Sequence, residues 1–311
     1  MNMIEYLRYR GINMYTIGDG VREKHIRGNG WYHGVCPFCG SKRGGNDLWL
    51  GYNSYRDYFY CWNCHITKKW ELFKKWFPGE NIKAILSAID TVIDPQKWGA
   101  EGFQKENNFY IPPLTPTPLM DSPKHVEYIK SRGLDPEELV GRWGVQSIAY
   151  KAEEYFYRNR IFIPVFDCND NPVSWLTRAV DGNNDVRRYL TAPKDRELEP
   201  IKNHLFGEHL VVHSDTIIVV EGSFDAFKVG RNVVATLGKT VTETQKELLR
   251  KYYKRIICFD NEDKAQQEAI QLMNDLDIYG GVTVNVCLDA PDPGSASDKE
   301  IRELLEYADN L

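Results

Sequence analysis

Hydrophobic and polar positions change rhythm along this chain, and each rhythm predicts a different architecture. From residue 216 onward, short Val- and Ile-rich runs at 216–220, 233–237, 255–259 and 282–288 read as buried strands. Stretches 223–230, 242–253, 263–276 and 299–307 separate and follow them with helical spacing of apolar residues. The helix at 242 opens on a Thr-x-x-Gln capping pattern. Strand–helix alternation predicts a parallel sheet covered by helices, an α/β fold. Upstream, 160–167 and 173–179 read as two strands joined by an Asn169-Asp-Asn-Pro172 turn, preceded by helices at 125–132 and 136–143. That is the pattern of an α+β subdomain. Near the N-terminus the alternation is brief, at 48–50 and 58–60, and helices are predicted at 68–77, closed by Pro78-Gly79, and at 81–94. Tyr110-Ile-Pro-Pro-Leu-Thr-Pro-Thr-Pro-Leu-Met-Asp-Ser-Pro123 interrupts all regular patterns and reads as an extended tether. The expected organisation is 1–80, a linker region at 81–122, then 123–215 and 216–311.

Composition narrows the class. A chain of 311 residues with 42% hydrophobic and 13% aromatic content can bury real cores, which excludes a disordered or fibrous protein. No run approaches the roughly 18 apolar residues of a membrane span. The opening MNMIEYLRYRG has no apolar signal-peptide region, so export is not expected. The net charge of −5 argues against a uniformly basic nucleic-acid coat. It is unevenly spread: residues 1–80 hold 12 Lys/Arg against 7 Asp/Glu, and the remainder 27 against 37.

Four of the seven cysteines form two knuckles, Cys36-Pro-Phe-Cys39 and Cys61-Trp-Asn-Cys64, with 21 residues between. Each knuckle turns two sulfurs toward one tetrahedral ion, the signature of one structural Zn²⁺ in a ribbon. A redox pair is the weaker alternative, and without a secretion signal disulfides are not expected. His33 and His65 are read as bystanders because four thiolates already complete the site. Between the knuckles, Trp49, Tyr52, Tyr55, Tyr58, Phe59, Tyr60 and Trp62 interleave with Arg56, after Lys42 and Arg43. Rings beside cations suit single-stranded nucleic acid, with bases on rings and phosphates on cations. Equally, these rings can be the small core of a metal-stapled module. Trp49 and Tyr58 are the template-contact candidates.

Acidic residues collect where the predicted parallel strands end. Glu221 follows Ile-Ile-Val-Val. Asp260 follows Ile-Ile-Cys-Phe, with Glu262 and Asp263 behind it. Asp289 closes the last strand, with Asp292 and Asp298 in the next loop, and Asp225 lies one helical turn beyond Glu221. Open α/β sheets bind ligands beyond these carboxyl ends. Carboxylates gathered there repel one another unless a hard cation such as Mg²⁺ joins them. A single Asp after a strand can instead cap the next helix, and Asp263 fits that role. Gly238-Lys239-Thr240 resembles the end of a phosphate-binding loop, but Val233 stands where that motif needs glycine.

These residues, taken in order, resemble the zinc-binding and polymerase portion of bacterial and phage DNA primases, with a Toprim catalytic core, from about residue 30 to the end. His125-Val-Glu-Tyr-Ile-Lys-Ser-Arg-Gly-Leu134 is similar to the family's YL..RG helix, and Arg158-Asn-Arg-Ile-Phe-Ile-Pro-Val-Phe-Asp167 to its R.R..FP..D segment. Arg188-Tyr-Leu-Thr-Ala-Pro193 resembles KYLNSP, with Arg for Lys, and Asn203-His-Leu-Phe-Gly207 resembles LYG. Val220-Glu-Gly-Ser-Phe-Asp-Ala226 matches EG..D, and Thr236-Leu-Gly-Lys-Thr240 the following LGT. The second acidic motif departs from D-x-D: it reads Asp260-Asn-Glu-Asp, so Glu262 or Asp263 takes the second place. The third is stretched, leaving Asp292 and Asp298 as alternatives.

The resemblance implies a zinc ribbon, then an α+β subdomain and a Rossmann-like Toprim core. It implies template-directed synthesis of short RNA primers on single-stranded DNA from NTPs. Glu221, Asp225, Asp260 and Glu262 or Asp263 would be catalytic. Two or more Mg²⁺ ions, with Mn²⁺ as a substitute, would be held by Glu221, Asp260, Glu262, Asp292 and Asp298. Arg158, Arg160, Arg178, Arg188, Lys202 and Lys239 would bind triphosphate or template. The implied partners are template DNA, NTPs, the RNA product and a separate replicative helicase, with no membrane. The implied location is the bacterial cytoplasm, or the host's if phage-encoded. A Toprim nuclease or topoisomerase-like enzyme and a catalytically degenerate single-strand-binding protein are the rivals.

Overall fold

The computed structural model describes residues 2–16, 31–40, 48–54, 58–89, 116–148, 157–180, 187–194, 196–211, 214–238 and 240–311. The chain divides into two compact units, Met1–Lys105 with Val140–Gly144, and Glu106–Leu139 with Val145–Leu311.

The first unit is built on a three-stranded antiparallel sheet of β1 (Trp31–Gly34), β2 (Leu50–Asn53) and β3 (Tyr58–Cys61), in that order. The predicted alternation of the aromatic strand is not observed: all four residues of β3 are buried. One face packs on helices α1 (Met3–Tyr9) and α2 (Lys69–Trp76), while the other carries Trp31, His33 and Trp62 in ring contact. Tyr52 and Phe59 are cross-strand partners with ring centroids 4.5 Å apart, a stabilising pair type. Met3 and Leu7 of α1 and Leu72 and Phe73 of α2 complete the core. An Asn2–Glu5 capping box starts α1. The helix expected at 81–94 is α3 (Ile82–Ala88), capped by Asn81, and positions 90–94 lie outside the described residues.

The second unit contains two sheets. The first is antiparallel, in the order β4 (Pro116–Thr117), β5 (Gln146–Ile148), β6 (Arg160–Phe166), β7 (Pro172–Ala179) and β8 (Tyr189–Thr191). Part of the proline-rich stretch expected to be an extended tether is therefore structured. Pro116 and Thr117 pair with Ile148 and Ser147, and Pro123 occupies the first turn of α4 (Pro123–Ser131), where a missing N–H costs nothing. The helix expected at 136–143 is one turn, Pro136–Glu138, continued as a π-helical turn over Leu139–Trp143.

The second sheet is parallel throughout. It holds β9 (Thr216–Val220), β10 (Val233–Ala235), β11 (Lys254–Ile257) and β12 (Val282–Asn285), in the order β10-β9-β11-β12. Helices α5 (Ser223–Val229), α6 (Glu243–Leu249), α7 (Asp263–Asp277) and α8 (Asp298–Asn310) follow the strands. Ile217, Ile218, Val219 and Val220 are all fully buried, as both faces of a helix-covered parallel sheet must be. The α6 helix is shorter than its expected 242–253 because the chain tightens at its end, with Tyr252 N donating to Leu249 O, before entering β11.

Candidate active site

In the first unit the four knuckle cysteines converge. Their sulfurs all lie within 4.8 Å of one another, with Cys36–Cys64 and Cys39–Cys61 both at 3.6 Å. A tetrahedral zinc with Zn–S bonds of about 2.3 Å has sulfur–sulfur edges of about 3.8 Å, so the donor set fits the ion. The residue after each knuckle is left-handed, Gly40 at φ 56° and His65 at φ 59°. His65 takes that turn with its Nδ1 2.9 Å from the Tyr60 hydroxyl, and His33 stacks on Trp62. Neither histidine is among the convergent ligands. Among the described residues the cysteines are the only His, Cys, Asp or Glu group gathered this tightly.

In the second unit the site forms where β9 and β11 end side by side, Val219 opposite Ile257. Glu221 leaves β9 and Asp260 lies just beyond β11; the Asp260 N–H donates to Glu221 Oε1 at 3.3 Å. Asp225, in the first turn of α5, accepts from Gly222 N–H at 2.8 Å and from Gly294 N–H at 3.0 Å. This ties the loop carrying Asp292 to the same point. Glycine is required at 294, because a Cβ there would lie 2.7 Å from Asp225 Oδ1 and 3.2 Å from Asp292 Oδ1. Burial, then the charge on Asp292, pushes Asp225 up to about 6. Burial, then Glu221, pushes Asp260 up to about 7. The Oδ1 atoms of Asp260 and Asp292 are buried without a hydrogen-bond partner. Carboxylates that resist ionisation and keep buried oxygens unpaired have the chemistry of a hard-cation site.

Both pKa values are raised above those of the unfolded chain, so each group favours the folded state below its unfolded value and loses that contribution as pH rises through the folded one. In chelator, the thermal midpoint should therefore carry a component that falls between about pH 4 and 7, and Mg²⁺ should suppress it. A chelator-treated midpoint whose pH profile is unchanged by Mg²⁺ would refute the cation-site reading.

The carboxylates line a cavity of about 560 Å³. Its other walls bring Arg132 from the end of α4, Arg178 from β7, and Arg188 and Tyr189 from the start of β8. The Arg178 guanidinium donates to the Tyr128 and Tyr189 hydroxyls and lies 4.3 Å from the Phe224 ring centroid. It has no carboxylate partner among the described residues.

Residues 218–281 match the Toprim-like family model. A DNA primase of Clostridium acetobutylicum is 31% identical over 151 residues, 46% of this chain and 25% of that protein. A DNA primase of Legionella pneumophila is 35% identical over 122 residues, 36% of this chain and 21% of that protein. Over these stretches the chain is similar to bacterial DNA primases. It spans about a quarter of the length of these curated relatives. The zinc-binding and RNA polymerase domains of the Aquifex aeolicus primase share its fold, with a TM-score of 0.57 at 20% identity over 99% of this chain and 82% of theirs.

Against the primase-like expectation, some residues sit elsewhere. Asp298 is the first residue of α8; its carboxylate is 81% exposed and pairs with Lys228 at 2.6 Å, so Asp292 and not Asp298 joins the cluster. Arg160 is buried, donating to Thr177 Oγ1 and to the carbonyls of Arg187 and Arg188. It holds the entry to β8 and does not line the cavity. Lys202 Nζ donates at 2.9 Å to both Thr236 O and Thr240 O, clasping a loop. Arg158 is half-exposed outside the cavity lining. Of the expected template-contacting rings, Tyr58 is buried, 8% exposed, and Trp49 is half-buried against the ribbon core. Glu262 holds the N-cap position of α7 without a side-chain cap hydrogen bond, and its charge adds to the upward push on Asp260; it is exposed, as is the first-turn Asp263, and neither lines the cavity. Lys239, Lys42, Arg43, Tyr55 and Arg56 lie outside the described residues. Arg132 was not among the sequence candidates. Its signal was its place as the Arg of the YL..RG-like segment, just before Gly133.

Proposed function

We propose that this chain is a template-directed RNA polymerase that makes short RNA primers on single-stranded DNA from NTPs during replication. The observation that carries the reading is one cavity in which Glu221, Asp225, Asp260 and Asp292 meet Arg132, Arg178 and Arg188. Carboxylates and guanidiniums in a single pocket suit a substrate that brings phosphates and a divalent cation together. The relatives named as DNA primases support the same reaction, as does a similarly folded primase catalytic domain whose structure is bound to ssDNA.

Glu221, Asp260, Asp292 and Glu262 would hold Mg²⁺, with Mn²⁺ as a substitute, and Asp225 supports them. Bound metal supplies charge neutralisation on the triphosphate and eases ionisation of the attacking hydroxyl. Arg178, oriented by two phenols, and the more exposed Arg188 and Arg132 grip phosphate oxygens. Arg160 and Lys202 act one step back, fixing the backbone that carries Arg188 and the wall beside Glu221. The zinc unit, with one structural Zn²⁺, is assigned to template recognition. A separate replicative helicase is the expected partner, and the bacterial cytoplasm, or the host's for a phage protein, the expected location. Among the described residues no helix is long and apolar enough to cross a membrane.

Incubation with single-stranded DNA, Mg²⁺ and labelled NTPs should yield short RNA. Cut DNA would favour a Toprim nuclease, and neither product a degenerate binding protein. The irregular second motif has its own test. Glu262→Gln should lower primer synthesis at least about tenfold, since removing a ligand should cost no less than losing outer-shell support at a metal site, while Asp263→Asn stays within about twofold. The reverse ranking would move the ligand to Asp263.

A further inference from the structure

Leu237 has a backbone conformation that an aliphatic side chain resists. Its φ is 54°, in the left-handed region where Cβ crowds the following carbonyl. The other described non-glycine residues with positive φ are His65, Asn159, Asp170 and Asn232, types that tolerate it better. Such strain persists only where the surroundings over-determine it, and it gathers at functional sites.

The surroundings here do so. Thr236 N–H donates to Val220 O at 3.0 Å, and Gly238 N–H to Glu221 O at 3.2 Å. Thr236 Oγ1 donates to Gly238 O at 3.0 Å. The Lys202 ammonium bridges Thr236 O and Thr240 O, and the fully buried Gln245 amide donates to Thr236 O and His204 O. Two donors from outside the loop, the fully buried Gln245 and the half-buried Lys202, thus hold one short turn in place.

The turn delivers Leu237 into the cavity wall. Leu176 and Thr191 are cross-strand partners on β7 and β8, and both line the cavity with Ile201. Lys202, the next residue, clasps the Leu237 turn, and Leu176, Ile201 and Leu237 all line the cavity. Arg178 lies two residues from Leu176 on the same face of β7. The carboxylates begin at Glu221, whose carbonyl accepts from Gly238. One cavity therefore carries both ionic and apolar side chains, which suits a ligand that joins phosphates to a flat, weakly polar ring.

We propose that Leu237, with Leu176 and Ile201, forms the subsite for the base and ribose of a nucleoside triphosphate, and that its strained turn is the device that presents it. This rests on the polymerase reading above. The test titrates the full protein by calorimetry with ATP and, separately, with inorganic tripolyphosphate, which keeps the phosphates and lacks the base. Leu237→Ala and Leu237→Gly should each weaken ATP binding about tenfold, the scale of a lost apolar contact, and leave tripolyphosphate binding within twofold. Their thermal midpoints form the second readout. At an ordinary position Gly is less stable than Ala, but at positive φ the order reverses, so Leu237→Gly should melt above Leu237→Ala. Equal loss for both ligands, or loss for neither, overturns the subsite. Leu237→Ala melting above Leu237→Gly overturns the strained-turn device. Absence of RNA synthesis by the unaltered protein would instead strike the polymerase reading, since neither titration requires turnover.

Discussion

Glu221→Gln should leave the protein folded and abolish primer synthesis, with a loss of at least about 100-fold, beyond that of outer-shell changes at metal sites. Glu221 is 6% exposed at the end of β9, and its Oε1 already accepts from the Asp260 N–H. Gln matches its size and keeps an oxygen for that bond, so the fold has no reason to change. What disappears is one negative charge beside Asp260. Glu221 heads the charges that hold Asp260 up near 7, so the substitution should also lower the Asp260 pKa and weaken the pH-dependent component of the metal-free midpoint. Reduced activity would thus accompany easier ionisation of the neighbouring carboxylate, a pairing that misfolding would not produce. Near-normal RNA synthesis by the variant would overturn the catalytic assignment.

Cys61→Ser should release the zinc and unfold the first unit. Cys61 is fully buried, its sulfur lies 3.6 Å from Cys39, and its residue closes β3 opposite Leu50. Structural zinc contributes about 10–16 kcal/mol to zinc-dependent peptides, more than a small aromatic core supplies on its own. Elemental analysis should show less than one zinc per chain, and limited proteolysis should cut the first unit while the second resists. A variant that keeps zinc and a protected first unit would show that three cysteines suffice.

The strands and the acidic motif were legible because both obey local rules. A parallel strand buried on both faces announces itself as a continuous Val/Ile run, and a carboxylate after such a run must emerge at the sheet's ligand-binding end. Glu221 and Asp260 needed nothing more. The cysteine knuckles were equally local, since two sulfurs three residues apart already form half a tetrahedron.

The cations were not legible, because an arginine or lysine side chain is long enough to reach several different partners. Arg160 and Arg178 share a similar strand context, yet Arg160 donates to backbone carbonyls and Arg178 lines the cavity. Only the pairing of β6, β7 and β8 decides between them. Asp292 and Asp298 are likewise equivalent in the sequence. A hydrogen bond from Gly294 to Asp225, and the Lys228 partner of Asp298, separate them. Trp49 and Tyr58 look like a nucleic-acid platform as readily as a core, and only the fold shows that Tyr58 is buried while Trp49 stays half-buried against the ribbon core.

By itself, then, the sequence determined the strand–helix alternation of the parallel sheet, the two cysteine knuckles and the position of Glu221 and Asp260 at the strand ends, because periodicity and short spacings act within a few residues. Tertiary structure alone decided which cations face the carboxylates, which third-motif aspartate joins them, and that Leu237 is forced into the wall. Those outcomes depend on contacts between segments far apart in the chain, such as Lys202 with Thr236 and Asp225 with Gly294, and no local pattern records them.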